Sequence, residues 1–179
     1  EAGYEYLVID DCWSLRNRDP KTDRLVPDPE KFPSGMRNLA DYVHSKGLKF
    51  GMYSCAGTLT CAGYPASFEH EFDDAASFAE WGVDFVKVDD ICNTNMYPHN
   101  PYSAEKEIEL MAKAIENSGR PMVLSLSPGP AVIEKAHHYE SFANMWRITD
   151  DFWDDWKLLK AMFERCEVWQ KHTGDGNWP

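Results

Sequence analysis

The regular alternation of strand-like and helix-like segments is the feature that most constrains the fold of this chain. Five short apolar stretches are predicted to be strands: "YLVID", "LKFGMYSC", "VDFVKVDD", "PMVLSLSPG" and "MWRITDD". The predicted helices that follow them cover residues 36–47, 70–82, 103–119, 131–139 and 152–171. Because a helix that joins two such strands usually places them side by side in parallel, the pattern predicts a parallel sheet, either closed into a barrel or doubly wound.

The opening strand and the first helix show two different apolar patterns. Leu7, Val8 and Ile9 form a continuous apolar run, which favours a strand buried on both faces. In the first predicted helix the apolar residues recur at helical spacing, and Gly47 provides the stop. The two patterns together predict a sheet covered by amphipathic helices.

Polar and ionisable side chains gather where the predicted strands end. They are Asp10 and Asp11, Tyr53, Lys87, Asp89 and Asp90, Ser125 to Ser127, and Arg147 to Asp151. A (β/α)8 barrel assembles its site from the carboxyl ends of many strands. No glycine-rich phosphate-binding loop follows the first strand, which disfavours a doubly wound nucleotide-binding sheet. The sequence therefore predicts an α/β fold of the (β/α)8 TIM-barrel type, with its site at this end of the strands.

The bulk composition disfavours two classes of partner. The chain has 179 residues, the size of one domain, and a formal net charge of -12. This acidic balance argues against nucleic acid and anionic membranes as partners, and no stretch approaches the length of a membrane span. The opening "EAGYEY" and the closing "HTGDGNWP" both resemble parts of interrupted elements. We therefore expect this chain to be an internal piece of a longer protein.

The five cysteines are scattered along the chain. They are Cys12, Cys55, Cys61, Cys92 and Cys166. None of them forms a CxxC pair, which disfavours a zinc ribbon. An odd number leaves at least one thiol without an internal disulfide partner. From spacing alone, free buried thiols are the expected state.

The segment "FVKVDD" places a lysine and a carboxylate on one side of a strand. Side chains alternate along a strand, so Lys87 and Asp89 point to the same side and Val88 points to the other. A neighbouring ammonium keeps a carboxylate ionised, as a nucleophile or a metal ligand requires. A purely structural ion pair at the strand end is the alternative, and the motif alone leaves both open.

The segment "WRITDDFWDDW" carries four aspartates where the last strand turns into the last helix. Asp154 and Asp155 are predicted in the first helical turn, where the helix dipole favours negative charge. Asp150 or Asp151 would serve as the N-cap. One cap suffices, and an apolar wall of Trp146 and Trp153 would raise the pKa of the other carboxyl, as a general acid requires.

Two carboxyls in different environments are what glycoside hydrolysis uses. Paired acids at strand ends could instead hold Mg²⁺ or Mn²⁺. Lys87 and Arg147 would compete with a cation for the carboxylates, and no histidine accompanies the acids at the strand ends. These observations favour the glycosidase interpretation over a metal site.

Five motifs, in order, resemble the family 27 glycoside hydrolases, the melibiase-type α-galactosidases and α-N-acetylgalactosaminidases. They are "YLVIDDCW", "FPSGMRNLADYVHSKGLKFGMYS", "TCAGYPAS", "FVKVDD-C" and "WRITDDFWDDW". The resemblance runs over nearly the whole chain. It implies a retaining α-glycosidase on a (β/α)8 barrel that acts on carbohydrate by double displacement, without metal or cofactor.

The resemblance also implies a role for individual residues. Asp89 matches the family nucleophile and Asp151 the family acid/base, and a retaining pair should stand about 5–5.5 Å apart. The implied sugar-binding residues are Asp10, Asp11, Tyr53, Lys87, Ser127 and Arg147. Cys61 and Cys92 match a family disulfide, which replaces the expectation from spacing for these two. A disulfide in turn implies an oxidising compartment: secreted, periplasmic or lysosomal.

Two departures from the family pattern affect the expected activity. Ser127, followed by Pro128, stands where the family's α-galactosidases have a Glu-Trp pair that reads the sugar's 2-hydroxyl. One alternative is therefore an enzyme for α-N-acetylgalactosaminides, α-glucans or β-L-arabinopyranosides. A separate alternative is a non-catalytic carbohydrate-binding relative.

In family terms, residues 1–179 form a partial catalytic domain of about strands 2 to 6. Barrel strands 1, 7 and 8 and the usual C-terminal β-sandwich are missing. We expect such an open arc to be poorly stable and inactive alone. The sequence allows a homo-oligomer of the full-length protein but does not specify its oligomeric state.

Overall fold

The computed structural model describes residues 2–90, 104–151 and 153–179. Its strands form one sheet in the sequential order β1-β2-β3-β4-β5, and all four neighbouring pairs are parallel. The strands are β1 (Tyr6–Val8), β2 (Lys49–Cys55), β3 (Phe85–Asp89), β4 (Val123–Ser127) and β5 (Met145–Trp146). Since the order never reverses, this sheet has no switch point of the doubly wound kind. It is an arc of a (β/α) barrel, as predicted.

Four described helices connect successive strands along one face of the sheet, and a fifth follows β5. They are α1 (Gly35–Ser45), α2 (Glu71–Trp81), α3 (Glu105–Asn117), α4 (Ala136–Phe142) and α5 (Trp156–Trp169). Short 3-10 turns precede α4 (Ile133–Lys135) and follow α5 (Gln170–His172). No described helix is long and apolar enough to cross a membrane.

The hydrophobic core lies between the sheet and these helices. Alternate strand residues point into it and are almost completely buried: Phe50, Met52, Val86, Val88, Leu124, Leu126 and Trp146. On the opposite, inner face, Gly51 leaves room for its neighbours, because a Cβ there would lie 2.7 Å from Val8 Cγ2 and 3.1 Å from Phe85 Cδ1. The inner face is less buried than the core face, and Met145 is exposed there.

The structure corrects two predictions about strands. Leu7 and Val8 are 42% and 39% exposed, so β1 is not buried on both faces. The reason is that β1 pairs only with β2 and forms one edge of the sheet. The last strand is also shorter than the predicted 145–151: β5 comprises only Met145 and Trp146.

The last two helices begin later than predicted. The 131–139 segment starts at Ile133 as a 3-10 turn, after Val132 in extended conformation. Helix α5 starts at Trp156 because Asp155 is its N-cap and accepts the backbone N–H groups of Lys157 and Leu158. The cap is therefore Asp155, not Asp150 or Asp151.

A buried ion pair fastens the long loop between β1 and α1 to helix α2. The guanidinium of Arg18 donates to both carboxylate oxygens of Asp74, at 2.7 and 2.8 Å. Asp74 also accepts the hydroxyl of Ser67 at 2.8 Å, and its side chain has no exposed surface. This network fixes the loop beside the carboxyl end of β2.

Candidate active site

The carboxyl ends of the three central strands place the predicted site residues side by side. In the strand register, Tyr53 of β2 lies opposite Lys87 of β3, and Asp89 of β3 lies opposite Ser127 of β4. Because these pairs share one side of the sheet, their side chains converge on the inner face. The period-two prediction for Lys87 and Asp89 is in this way confirmed.

Asp89 is the most enclosed carboxylate on this face, with 8% of its surface exposed. The hydroxyl of Tyr53 donates to its Oδ2 at 2.9 Å, and Lys87 Nζ lies 3.9 Å from its Oδ1. Burial and the Asp89 charge hold the pKa of Tyr53 well above its usual value, so the phenol stays protonated and donates. Within the described residues, Oδ1 of Asp89 has no hydrogen-bond partner. One oxygen is thus held by Tyr53, and the other is buried near the ammonium of Lys87.

Lys87 links the ends of two strands that are not neighbours. Its Nζ donates to Oδ2 of Asp10, beyond β1, at 3.1 Å and lies 5.1 Å from the ring centre of Tyr53. The ammonium therefore stands between Asp10 and Asp89 and over an aromatic face. Asp10, Tyr53, Lys87 and Asp89 form one continuous contact group, which we call the β3 cluster.

Asp11 has a different environment from Asp10. Its Oδ1 accepts the backbone N–H of Cys12 at 2.6 Å, and its Oδ2 accepts that of Ala62 at 3.0 Å. Oδ2 thus holds the loop after β2 against the end of β1, whereas Oδ1 bonds to the next residue of the chain. The sulfur of Cys61, in the same loop, lies 4.0 Å from Oδ2 of Asp89. Asp11 sets the position of this wall of the site.

A second group of charges lies just beyond β5. The backbone N–H of Arg147 donates to Leu126, which places Arg147 at the end of β4. Its Nη1 donates to Oδ1 of Asp151 at 2.5 Å, and its Nη2 lies 4.0 Å from Oδ1 of Asp150. Nε and Nη2 of Arg147 are buried and have no hydrogen-bond partner in the described part of the chain. We call Arg147, Asp150 and Asp151 the β5 cluster.

The predicted apolar wall beside Asp151 is wrong for one of its two residues. Trp146 points into the core, where its ring stacks on Tyr139 with centres 5.7 Å apart. This follows from its position in β5, since it lies opposite the buried Leu126. Trp153 instead lies on the surface, in the same depression as Arg147 and Asp151. Asp151 itself is exposed.

The sequence analysis gave no role to Asp90, a buried carboxyl beside the site. It is 6% exposed, and its Oδ1 has no hydrogen-bond partner among the described residues. Burial, and secondarily the charge of Asp89, raises its pKa to about 7. The signal for it was the aspartate doublet after β3, since alternation directs only one of two adjacent side chains to the inner face.

The cysteines partly follow the prediction from spacing. Cys12, Cys55 and Cys166 are free, but only Cys55 is fully buried and Cys166 is exposed. Burial raises the pKa of the Cys55 thiol to about 12, so it is unreactive. Cys92 lies outside the described residues, and its pairing with Cys61 stays a prediction. The described part of the chain holds no group of three or more His, Cys, Asp or Glu arranged for a metal ion.

Comparison with known proteins gives a consistent result over the whole chain. The profile of the melibiase family described as alpha galactosidase A matches residues 1–179. Alpha-galactosidase 2 of Arabidopsis thaliana is 41% identical over 177 residues, which are 98% of this chain and 43% of that protein. Alpha-N-acetylgalactosaminidase of Gallus gallus is 40% identical over 189 residues, which are 99% of this chain and 45% of that protein.

A solved structure shows the same arrangement of the backbone. The GH27 β-L-arabinopyranosidase of Geobacillus stearothermophilus matches with a TM-score of 0.84 at 36% identity, over 99% of this chain and 52% of that one. The chain thus spans less than half the length of the two curated relatives.

Proposed function

Because the chain belongs to the melibiase (alpha galactosidase A) family of glycoside hydrolases, we propose that its protein is a retaining α-glycosidase. Its substrates are oligo- or polysaccharides, from which it releases terminal α-linked galactose. The observation that carries this proposal is the β3 cluster: a buried carboxylate with one oxygen held by Tyr53 and Lys87 nearby. Double displacement requires a nucleophile in such a setting.

Asp89 is the nucleophile in this proposal. Its carboxylate attacks the anomeric carbon of the bound sugar while the bond to the leaving oxygen breaks. Lys87 and Tyr53 position this carboxylate, since the ammonium lies 3.9 Å from Oδ1 and the phenol donates a hydrogen bond to Oδ2. The product of this step is a glycosyl ester of Asp89.

Asp151 is the acid and base in this proposal. It gives its proton to the leaving oxygen as the ester forms. It then takes a proton from water, whose oxygen attacks the anomeric carbon and releases Asp89. Its contact with Arg147 positions the carboxylate. The two carboxyls should stand about 5–5.5 Å apart around the bound sugar.

The remaining predicted residues are assigned to sugar binding. Asp10 accepts hydroxyl hydrogens, and Lys87 and the unpartnered donors of Arg147 supply hydrogen bonds to hydroxyl oxygens. Tyr53 lies at the floor of the site. Asp11 acts mainly by holding the loop at Ala62 against the site.

Ser127 supports a second candidate, an enzyme of the same family with altered sugar preference. It is buried beside Asp89, and its side chain is small. A small residue next to the nucleophile leaves space at the neighbouring sugar carbon. An N-acetyl group, or another ring altered at that carbon, would fit there as well as a plain hydroxyl.

Further properties of the whole protein follow from the same assignment. We propose that residues 1–179 form part of a (β/α)8 catalytic domain. We also propose that Cys61 and Cys92 form a disulfide in an oxidising compartment, such as the secretory or lysosomal space. The partner is a carbohydrate, and the proposed chemistry uses no metal or cofactor.

A substrate panel and a stereochemical test examine the proposal in the full-length protein. The panel comprises nitrophenyl α-galactoside, α-N-acetylgalactosaminide, α-glucoside and β-L-arabinopyranoside. Asp89→Asn should lose activity by at least about three orders of magnitude, the scale on which single catalytic groups act. Galactose binding should be retained.

Azide rescue then distinguishes the two carboxyls. With Asp89→Gly, azide replaces the nucleophile and attacks the opposite face, so the product is β-galactosyl azide. With Asp151→Gly, azide attacks the ester of Asp89 and gives α-galactosyl azide. Rescue products of the opposite anomers would refute the assignment. Sugar binding without turnover of any panel member would instead indicate a non-catalytic relative.

A further inference from the structure

The exposed indole of Trp153 lies next to the β5 cluster. A depression of the surface is lined by Arg147, Thr149, Asp150, Asp151 and Trp153. Trp153 is 77% exposed, and its carbonyl accepts the backbone N–H of Asp155 at 2.6 Å. Trp153 thus lies in the turn that leads from Asp151 to the N-cap of α5, Asp155.

The proposed roles of the two clusters assign a chemical identity to this depression. The nucleophile and its neighbours Tyr53, Lys87 and Asp10 bind the sugar that forms the ester. The acid/base gives its proton to the leaving oxygen. The surface on the Asp151 side is therefore where the leaving group lies. Trp153 borders that surface.

The charges around the ring indicate which leaving groups fit. An adjoining depression is lined by Trp153, Asp154, Asp155, Trp156 and Leu159. Among the described residues that line the two depressions, Arg147 is the single cation against four aspartates. Arg147 is already engaged by Asp151. An anionic leaving group would be repelled by the uncompensated negative charge. An uncharged ring carries no net charge and would bind without this electrostatic cost.

On this basis we infer that Trp153 is the platform on which the leaving group stacks, and that it favours an uncharged sugar ring. The inference rests on the proposed function and adds a residue that selects the leaving group. The apolar face of a pyranose packs on the indole, with Thr149 and Asp150 at the rim for its hydroxyls.

The test compares two substrates that share the galactose and differ in the leaving group. In melibiose the leaving group is glucose, whereas in methyl α-galactoside it is methanol and reaches no platform. Trp153→Ala in the full-length protein should raise the KM for melibiose about three- to ten-fold, the scale of one aromatic contact. The KM for methyl α-galactoside should change less than two-fold. Trp153→Phe should restore most of the difference.

Trp178→Ala is the matched control. Trp178 is also an exposed tryptophan, at 57%, but it lines neither depression. It should leave both KM values unchanged. An equal effect of Trp153→Ala on both substrates, or no effect on either, would overturn the inference.

A binding titration separates this inference from the proposed function. In the Asp89→Asn background, calorimetry should show weaker melibiose binding after Trp153→Ala and unchanged galactose binding. If the unmodified protein turns over no galactoside, the proposed function fails. The platform is then judged by this titration alone, and equal melibiose affinity with and without Trp153 rejects it.

The charge preference has its own measurement. Retaining enzymes transfer the sugar from the ester to added acceptors, which occupy the leaving-group side. Methyl α-glucoside should be a better acceptor than methyl α-glucuronide, and the difference should shrink at high salt because the repulsion is screened. Equal transfer to both acceptors at low salt would show that the aspartates exert no selection.

Discussion

At the scale of single residues, Asp89 and Asp90 show how neighbouring carboxyls acquire different properties. Asp89 accepts the hydroxyl of Tyr53 and lies near the ammonium of Lys87. Asp90 is equally buried, but one of its oxygens has no partner, and burial raises its pKa to about 7. Two identical side chains thus differ because successive residues of a strand face opposite sides.

The raised pKa of Asp90 predicts a pH-dependent stability. Its usual pKa is near 3.8, so between about pH 4 and pH 7 the unfolded chain releases this proton while the folded protein keeps it. Asp90 therefore lowers the free energy of unfolding progressively through that window, and the penalty is complete above pH 7. Asp90→Asn should raise the melting temperature by several degrees at pH 8 and change it little at pH 4.

Thermal denaturation of the full-length protein at both pH values tests this prediction. Asp175→Asn is the control, because Asp175 is an exposed carboxyl. It should shift the melting temperature by less than a degree at either pH. A stabilisation by Asp90→Asn that is the same at pH 4 and pH 8 would show that the proton on Asp90 is not the cause.

At the scale of elements, the long loop after β1 depends on one buried ion pair. Arg18 reaches Asp74 on α2 with two hydrogen bonds and also donates to the carbonyl of Ala66. Ser67 joins the pair from the loop before α2 and contacts Ser54 of β2 at 2.6 Å. One guanidinium thus positions a loop, a helix and a strand end relative to each other.

Removal of this carboxylate should destabilise the protein strongly. Asp74→Ala leaves the Arg18 charge buried and unpaired, which costs about 3–5 kcal/mol. Asp73→Ala is the matched control, since Asp73 is exposed on the same helical turn. It should change the free energy of unfolding by less than about 0.5 kcal/mol. Urea denaturation of the full-length protein measures both values, and similar effects of the two substitutions would contradict a special role for the pair.

Most elements were predictable, because their signals are local. Gly47 and Gly82, both with positive φ, follow α1 and α2 as expected. The start of α5 was not predictable, because Asp150, Asp151 and Asp155 are all suitable N-cap residues. Only the three-dimensional path of the chain selects Asp155.

The site was predictable to a similar extent. Period-two alternation located Lys87 and Asp89 on one side, as the strand register confirms. It gave no means of distinguishing the roles of Asp10 and Asp11. Their hydrogen-bond partners differ, because Asp11 binds the backbone of Ala62, which is distant in the sequence. The Arg18–Asp74 pair also escaped prediction, since 56 residues separate its partners.

At the scale of the whole molecule, the arc leaves apolar surface uncovered. Among the described strands, β1 has a neighbour on one side alone, and its residues Leu7 and Val8 are exposed. Met145 is exposed on the inner face, and α5 exposes Trp156 and Phe163. Exposed apolar side chains of this kind destabilise an isolated domain and favour association.

Residues 1–179 produced alone should therefore be poorly stable and inactive. We expect no cooperative melting transition, strong binding of a hydrophobic dye such as ANS, and no glycosidase activity. The full-length protein, measured in parallel, should melt cooperatively and bind little dye. A sharp melting transition of the short chain together with turnover of an α-galactoside would contradict this expectation.

The sequential order of the strands has a consequence for how the protein is made. Each strand of the sheet pairs with the strand that the ribosome produced just before it. Among the described strands, the backbone hydrogen bonds of β2, β3, β4 and β5 can therefore each form with a strand that has already been made. During synthesis the arc is able to grow one unit at a time from its amino-terminal side, since domains emerge in that direction.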